Sequence, residues 1–71
     1  MKVSFKQVGR DKRSWEKDFG NQVTESQIAK EAKRGASLMS SEVDAEIDES
    51  GHAGAIFVGG WREVGTFVIS A

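Results

Sequence analysis

The sequence predicts an α+β fold in which one α-helix packs on one face of a small antiparallel β-sheet, in the order β-β-α-β-β-β. Three observations predict this fold: five segments with strand-like hydrophobic patterning, one capped segment with helical spacing, and glycine-containing or polar turns between them. The 71 residues allow a single domain, spanning 1–71, with a thin core. No repeat, linker or low-complexity segment divides the chain.

The first two strands are expected to form a hairpin. Lys2–Val8 alternates between apolar and polar side chains, which is typical of a half-buried strand. The turn at 9–12 contains glycine and aspartate, which tolerate unusual backbone angles. Residues 13–19 then return as the second strand, with Trp15 and Phe19 on one face.

The helix is predicted from its start signal and its spacing. Thr24 and Gln27 fit a capping box, in which each side chain accepts a hydrogen bond from the backbone of the other residue. One narrow apolar stripe follows, formed by Ile28, Ala32, Ala36 and Met39. Because Gly35 keeps this stripe thin, the helix is expected to approach the sheet closely.

Three strands are predicted after the helix. Residues 41–48 alternate most regularly, and 49–52 form the turn that follows. Residues 54–58 are apolar on both faces, which predicts a central strand or a strand beneath the helix. The glycines at 59–60 permit a bend or bulge, and 64–69 make the last strand.

Composition excludes several classes of protein. There is no cysteine, so no disulfide or thiolate metal site is possible, and the single histidine, His52, cannot form a zinc cluster by itself. No apolar run approaches the ~20 residues of a membrane span, and the N-terminal segment lacks a secretory apolar region. We expect a complete small reading frame that starts at Met1 and encodes a cytoplasmic protein without membrane contact.

Charge is divided unevenly along the chain. Nine bases and five acids precede Leu38, for a net charge of +4, whereas one base and six acids follow, for a net charge of −5. Such asymmetry concerns surfaces and partners rather than the fold. It predicts a protein that docks onto something else.

Four acids form an acidic ladder in the segment 41–48: Glu42, Asp44, Glu46 and Asp48. Alternate positions on a strand lie about 6.6 Å apart, close to the ~7 Å between successive phosphates of a nucleic-acid strand. The ladder could therefore imitate a phosphate backbone and occupy a basic groove on another protein. Alternatively it is a solvated face whose acids pair with lysines 2, 6 or 17. A divalent-metal site is disfavoured because same-face side chains of a strand diverge.

Six basic residues are candidates for binding nucleic acid or an acidic partner. They lie at the hairpin tip (Arg10, Lys12 and Arg13) and on the helix (Lys30, Lys33 and Arg34). A protruding basic turn could enter a groove, and the helical cations could follow phosphates. Ordinary solvated surface remains the alternative, and a pI near 5.7 is not typical of a general nucleic-acid binder.

The aromatic residues and the lone histidine are further candidates for a functional site. Trp15 is expected in the core, and Trp61, next to Arg62, is expected to be exposed and available as a partner-binding hot spot. His52 lies in a glycine-flanked turn without a nucleophile or paired carboxylate. Since no nucleophile–base pair, metal cluster or phosphate loop is present, we expect neither an enzyme nor a cofactor or metal site.

Residues 29–68 resemble a recurring type of small phage-encoded protein. The resemblance rests on Ala-Lys-Arg-Gly-Ala-Ser at 32–37, the alternating strand at 42–48, Gly51, the strand at 55–58 and Trp61. One type I-F anti-CRISPR family is similar in this arrangement. The resemblance implies a compact helix-on-sheet protein that binds a crRNA-guided surveillance complex through basic residues and blocks target DNA. The added hairpin with Trp15 and the acidic strand depart from that family.

The sequence thus predicts a non-enzymatic interaction protein, and the resemblance implies a phage or mobile-element inhibitor or modulator of a host nucleic-acid machine. It would act by occupying a surface of a host protein or nucleoprotein complex, as a monomer or homodimer. The alternative is direct nucleic-acid binding through the hairpin tip and the helix.

Overall fold

The computed structural model describes residues 1–70 and contains one helix and five strands in the predicted order. The elements are β1 (Lys2–Val8), β2 (Arg13–Asp18), α1 (Glu25–Gly35), β3 (Val43–Ile47), β4 (Ala53–Val58) and β5 (Arg62–Ser70). The α+β class and the single helix on an antiparallel sheet are confirmed.

The five strands form one antiparallel sheet in the order β2-β1-β5-β4-β3. The strands nearest the two ends of the chain, β1 and β5, are therefore neighbours in the sheet, with Phe5 opposite Phe67. β4 lies between β5 and β3, so the prediction of an interior strand for 54–58 is confirmed. β2 and β3 form the two edges.

The core lies between α1 and one face of the sheet. Six side chains are less than 2% exposed: Phe5, Phe67, Ile28, Ile56, Val3 and Val8. Trp15 is half-buried and stacks on Phe5 with ring centroids 4.6 Å apart, which extends the core onto the edge strand β2. The prediction that Trp15 belongs to the core and that Trp61 is exposed agrees with these positions.

The start of α1 follows the predicted capping box. Thr24 Oγ1 accepts from the amide of Gln27 at 3.2 Å, and the Gln27 side chain accepts from the amide of Thr24 at 2.8 Å. The predicted apolar stripe is wrong at its far end, because the helix ends at Gly35 and Met39 is 97% exposed. Ser37 adopts a left-handed conformation, with φ of 53°, which turns the chain away from the helical path.

The prediction that α1 approaches the sheet closely is confirmed at Gly35. A Cβ atom at that position would lie 2.6 Å from Cε2 of Trp15, well inside van der Waals contact. The absence of a side chain therefore lets the edge strand β2 pack against the last turn of the helix.

Several strand boundaries differ from the sequence prediction. β2 ends at Asp18 rather than at Phe19, β3 is shorter than 41–48, and β5 is longer than 64–69. The glycines at 59–60 form the tight β4–β5 turn, with φ of 64° and 82°. The bulge lies farther along, where the pairing shifts around Val64. Within residues 1–70, no helix is long and apolar enough to cross a membrane.

Candidate functional site

Three chain connections meet at one end of the sheet, which we call the loop end: the β1–β2 turn, the α1–β3 connection and the β4–β5 turn. The amide of Gly9 donates to the carbonyl of Val64 at 2.9 Å, which ties the hairpin turn to β5. A Cβ at Gly9 would lie 3.3 Å from both Ala36 and Leu38, so the same turn also packs against the chain leaving the helix. Residues distant in sequence are thereby held together.

A groove of about 400 Å³ lies at the loop end between the hairpin turn and the start of β5. Four cations from three segments line this basic groove: Lys6, Arg10, Lys12 and Arg62. Glu63 is the one acid among the lining residues, which leaves a formal charge of +3. All four cations are exposed, so an anionic partner can reach them.

None of these four cations forms an ion pair with another residue in the described range 1–70. Arg13, the remaining cation of the hairpin tip, differs. Its guanidinium lies 3.8 Å from the carboxylate of Asp11 and donates to the carbonyl of Gly35 at 3.1 Å. Arg13 therefore holds the hairpin against the end of α1, while the groove cations have no structural role of this kind.

The backbone around the hairpin turn is unusual on both sides. Gln7 and Lys12 are left-handed, with φ of 49° and 53°, and the β1–β2 pairing shifts between Phe5 and Val8. The amide of Gln7 donates to Ser14 Oγ at 3.0 Å. Such irregularities increase local twist and redirect side chains, and they cluster at functional positions. Here they lie within the lining of the basic groove.

Two large apolar side chains are exposed at the loop end. Trp61 is 80% exposed in the β4–β5 turn, directly before Arg62, and Met39 is 97% exposed in the α1–β3 connection. An exposed aromatic ring beside cations is typical of surfaces that stack unpaired bases, and tryptophan and arginine are enriched in protein-binding hot spots. This arrangement makes the loop end the strongest candidate site.

The predicted basic residues of the helix do not join this surface. Lys30 and Lys33 line a separate groove between α1 and β3, together with Glu25 and Asp44. Arg34 is bound to Glu31, with Nη2 2.6 Å from Oε2 and Nε 3.2 Å from Oε1. The six predicted basic residues of the hairpin tip and the helix therefore lie in four distinct environments instead of on one basic face.

Glu31 is the one buried charged residue described in the structure, at 6% exposure. Burial raises the pKa of its carboxyl, but hydrogen bonds from Arg34 and Trp15, together with the charges of Arg34 and Lys17, outweigh burial. The net pKa lies below the ordinary 4.5, and the same pairing raises the pKa of Arg34. Glu31 is therefore a structural anion.

The acidic ladder is exposed along β3. Asp44 lies opposite Phe57 and Glu46 opposite Ala55, on the sheet face that α1 leaves uncovered. The interpretation that the ladder pairs with lysines 2, 6 or 17 does not hold, because β4 and β5 separate β3 from the strands that carry them. Lys2 instead lies 3.7 Å from Glu16.

One member of the ladder has a local structural role. Asp48 accepts hydrogen bonds from the amide of Ser50 at 3.0 Å and from its hydroxyl, which shapes the β3–β4 turn. Within residues 1–70, the other three acids (Glu42, Asp44 and Glu46) form no ion pair. His52 is exposed in the same turn, and no group of three metal-ligating side chains converges within this range.

Sequence reasoning missed two of the groove residues, Lys6 and Arg62. Lys6 was one of several strand lysines, and Arg62 was the only base of an acidic half. Pairing of β1 with β5, which sets Lys6 opposite Thr66, brings the two cations to one groove. The similar apolar patterns of β1 and β5 were the one sequence feature that could have indicated this pairing. The order of strands in a sheet does not follow from such patterns alone.

No family model, curated protein or solved structure matches this chain.

Proposed function

We propose that this protein is a non-enzymatic interaction protein that docks through its basic groove onto a polyanionic partner, a nucleic acid or a nucleoprotein complex. The observation that carries the proposal is the convergence around one groove of four cations that form no ion pair within residues 1–70: Lys6, Arg10, Lys12 and Arg62. Cations that lack intramolecular partners keep their full attraction for an external anion.

The chemistry of the loop end favours phosphates as the anion. Lysine and arginine bind phosphodiester oxygens by charge-assisted hydrogen bonds, and each neutralised phosphate releases condensed counterions. Trp61, 80% exposed and adjacent to Arg62, adds a flat apolar surface on which an unpaired base can stack. A single-stranded segment would use both features at once.

The biological outcome we propose is inhibition or modulation of a host nucleic-acid machine by surface occupation. A protein of 71 residues that covers a nucleic-acid strand or its entry site excludes other ligands from the same place. Phage or mobile-element origin, and an anti-CRISPR activity, are part of this proposal through the resemblance of residues 29–68. The bacterial cytoplasm is the corresponding location.

Fluorescence anisotropy of labelled single-stranded and duplex oligonucleotides tests the proposal. The variant Lys6→Gln with Lys12→Gln removes two groove cations, and Lys30→Gln with Lys33→Gln is a matched control on the helix. We expect affinity at low salt to fall about tenfold for the groove pair, and the slope of log affinity against log salt to fall by ~1.4 for single strands. The helix pair should change neither.

Two results would contradict the proposal. Absence of any anisotropy change at low salt would eliminate direct binding to nucleic acid, and equal losses for the two lysine pairs would eliminate the groove as the site. Circular dichroism of each variant verifies that the fold is intact, since exposed Lys→Gln changes seldom alter stability by more than ~0.5 kcal/mol.

A second candidate function rests on the acidic ladder. Glu42, Asp44 and Glu46 are exposed and form no ion pair within residues 1–70, so they could imitate phosphates toward a basic groove on a protein. A partner obtained by pull-down from host lysate would then associate more slowly with Glu46→Gln than with the control Glu49→Gln, because steering acts mainly on the association rate. Equal association rates at low salt would exclude this function.

A further inference from the structure

The face of the sheet opposite α1 is uncovered along its whole width. Its centre is an apolar strip contributed by β4 and β5, formed by Ala53, Ala55, Phe57, Thr66 and Val68. Val68 is 44% exposed, and the first three are half-buried. The β4–β5 part of the sheet therefore presents mostly apolar side chains to solvent, a composition suited to packing against a second surface.

The register of the sheet places opposite charges at the two sides of this strip. Glu46 lies opposite Ala55, Ala55 opposite Thr66, and Thr66 opposite Lys6, so the four residues form one row across four strands. Three strand spacings separate the acid from the base, about 14 Å. Direct intramolecular pairing of Glu46 with Lys6 is therefore excluded, and neither residue has another ion partner within residues 1–70.

We propose that a second copy of this chain packs on the uncovered face to form a two-fold symmetric dimer. The symmetry axis lies in the interface, parallel to the strands and between β4 and β5. A half-turn about this axis places Glu46 of each copy over Lys6 of the other and brings the two apolar strips together. The contact is isologous, so every charge pair occurs twice.

The remaining charges of the face agree with this arrangement except Glu63, which lies opposite Phe57 on the same face and is the one acid beside the basic groove. Toward the loop end, Asp44 and Glu42 continue the acidic side, since the amide of Gly59 in the β4–β5 turn donates to the carbonyl of Glu42 at 3.0 Å. The other cations of the basic groove lie at this same end, across β4 and β5. The acidic strand of each copy therefore extends along the basic groove of the other.

Two of the acids at the opposite end of the face are compensated by cations within the chain, and a third, Asp48, accepts hydrogen bonds from Ser50. Glu16 lies 3.7 Å from the ammonium of Lys2, and Asp18 lies 3.7 Å from the N-terminal ammonium. Face-to-face packing thus brings together Glu46 and Lys6 near the centre of the face, and two neutralised pairs at the opposite end. Complementarity of this kind fixes the register and orientation of the partner.

The dimensions of the molecule set the expected strength of the dimer. The two longer extents, 29 and 22 Å, limit the sheet face to roughly 600 Å² per copy, somewhat below the ~800 Å² of a standard interface. We therefore expect a weak dimer that forms at micromolar concentrations and dissociates as salt is raised.

Sedimentation velocity across a micromolar concentration series, at low and at high salt, tests the dimer without any nucleic acid present. Glu46→Lys and Lys6→Glu should each weaken dimerisation by at least about tenfold, because each places like charges over one another twice. The combination of both changes in one chain restores complementarity and should restore the dimer. Glu49→Lys and Lys30→Glu are matched reversals off this face and should leave the dimer unchanged.

Monomeric mass at all concentrations would overturn the proposal, and so would failure of the double reversal to recover a dimer while circular dichroism shows native folding. Thr66→Arg provides an independent test, since it fills the centre of the contact without reversing the charge of Glu46 or Lys6, and it should also yield monomer. The dimer covers part of the basic groove, so it competes with the proposed nucleic-acid binding. Dimerisation is therefore measured without nucleic acid, and nucleic-acid binding is measured on the monomeric variant Thr66→Arg and on the parent, so that failure of one proposal is distinguishable from failure of the other.

Discussion

The Nε1 of Trp15 donates a hydrogen bond to Oε2 of Glu31 at 3.0 Å, which joins the edge strand β2 to the centre of α1. The indole also stacks on Phe5, so one side chain contacts the core ring on one side and approaches the helix on the other. Arg34 completes the arrangement by binding both oxygens of Glu31. A buried carboxylate is thus stabilised by three donor contacts rather than by water.

Glu31→Gln should destabilise the protein in a manner that depends on pH. The pKa of Glu31 is lower in the folded chain than its ordinary 4.5, so the charged carboxylate stabilises the fold above about pH 4.5, and this contribution is lost as pH falls through the folded pKa. We expect a loss of about 1–3 kcal/mol at pH 7. The difference from the parent protein should shrink below pH 4.5.

Urea unfolding followed by tryptophan fluorescence between pH 3 and pH 7 measures this difference. Glu49→Gln, a change of the same type in the exposed β3–β4 turn, is the control and should behave like the parent protein. A stability difference for Glu31→Gln that stays constant over the whole pH range would contradict the assignment.

Gly35→Ala should lower stability although alanine is the better helix former. The added Cβ would lie 2.6 Å from Cε2 of Trp15, and overpacking of this kind costs about 1–3 kcal/mol against a propensity gain of about 1. Thermal unfolding gives the net effect. Since the indole must move, Trp15 fluorescence should also shift, and an unshifted spectrum with higher stability would show that the helix is farther from β2.

Glu25→Ala should expose the edge of β3 locally. The carboxylate of Glu25 accepts from the amide of Ile47 at 2.8 Å, on the side of β3 that no strand covers. Hydrogen exchange at Ile47 should accelerate in Glu25→Ala, whereas Glu25→Gln keeps an acceptor oxygen and should retain most of the protection. Exchange at the rate of the parent protein in Glu25→Ala would mean that the side chain does not protect this amide.

Thr24→Ala should destabilise α1 by about 1 kcal/mol, because it removes the acceptor for the amide of Gln27. Thr24→Ser keeps a hydroxyl at the same place and should lower the free energy of unfolding by only about 0.3 kcal/mol. The midpoint of urea unfolding distinguishes the two variants. Similar losses for both would show that the methyl group, rather than the hydroxyl, is what the fold needs.

Features of the fold that arise from interactions between residues close in sequence could be predicted, and features that arise from contacts between distant segments could not. The capping box at Thr24 and Gln27 acts over three residues, so the helix start was predictable from sequence. The helix end was not, since helical spacing continues to Met39 while a left-handed Ser37 and the contacts of Gly35 with Trp15 end the helix earlier. Those contacts depend on packing between distant segments.

The residues of the candidate site also differ in whether local sequence could identify them. Arg10 and Lys12 were identified from a local turn, and they line the basic groove. Lys6 and Arg62 join them only through the pairing of β1 with β5, the two outermost segments of the chain. Arg34 does not join the basic groove for a local reason. Its partner Glu31 lies three residues away on the same helix and binds its guanidinium directly.

The helix is hydrogen-bonded to both edges of the sheet, through Glu25 to β3 and through Glu31 to β2. The outer sides of β2 and β3 have no strand neighbour within residues 1–70, and a fluctuation that lifts α1 away would also free the amide of Ile47 on the β3 edge, which leaves both edges of one molecule open. A monomer with two open edges can add neighbours in both directions, which is the geometry of a growing fibril rather than of a closed aggregate. Substitutions that weaken the contacts of α1 should thus make concentrated protein aggregate sooner. We expect this effect to be larger than their change in the free energy of unfolding would indicate.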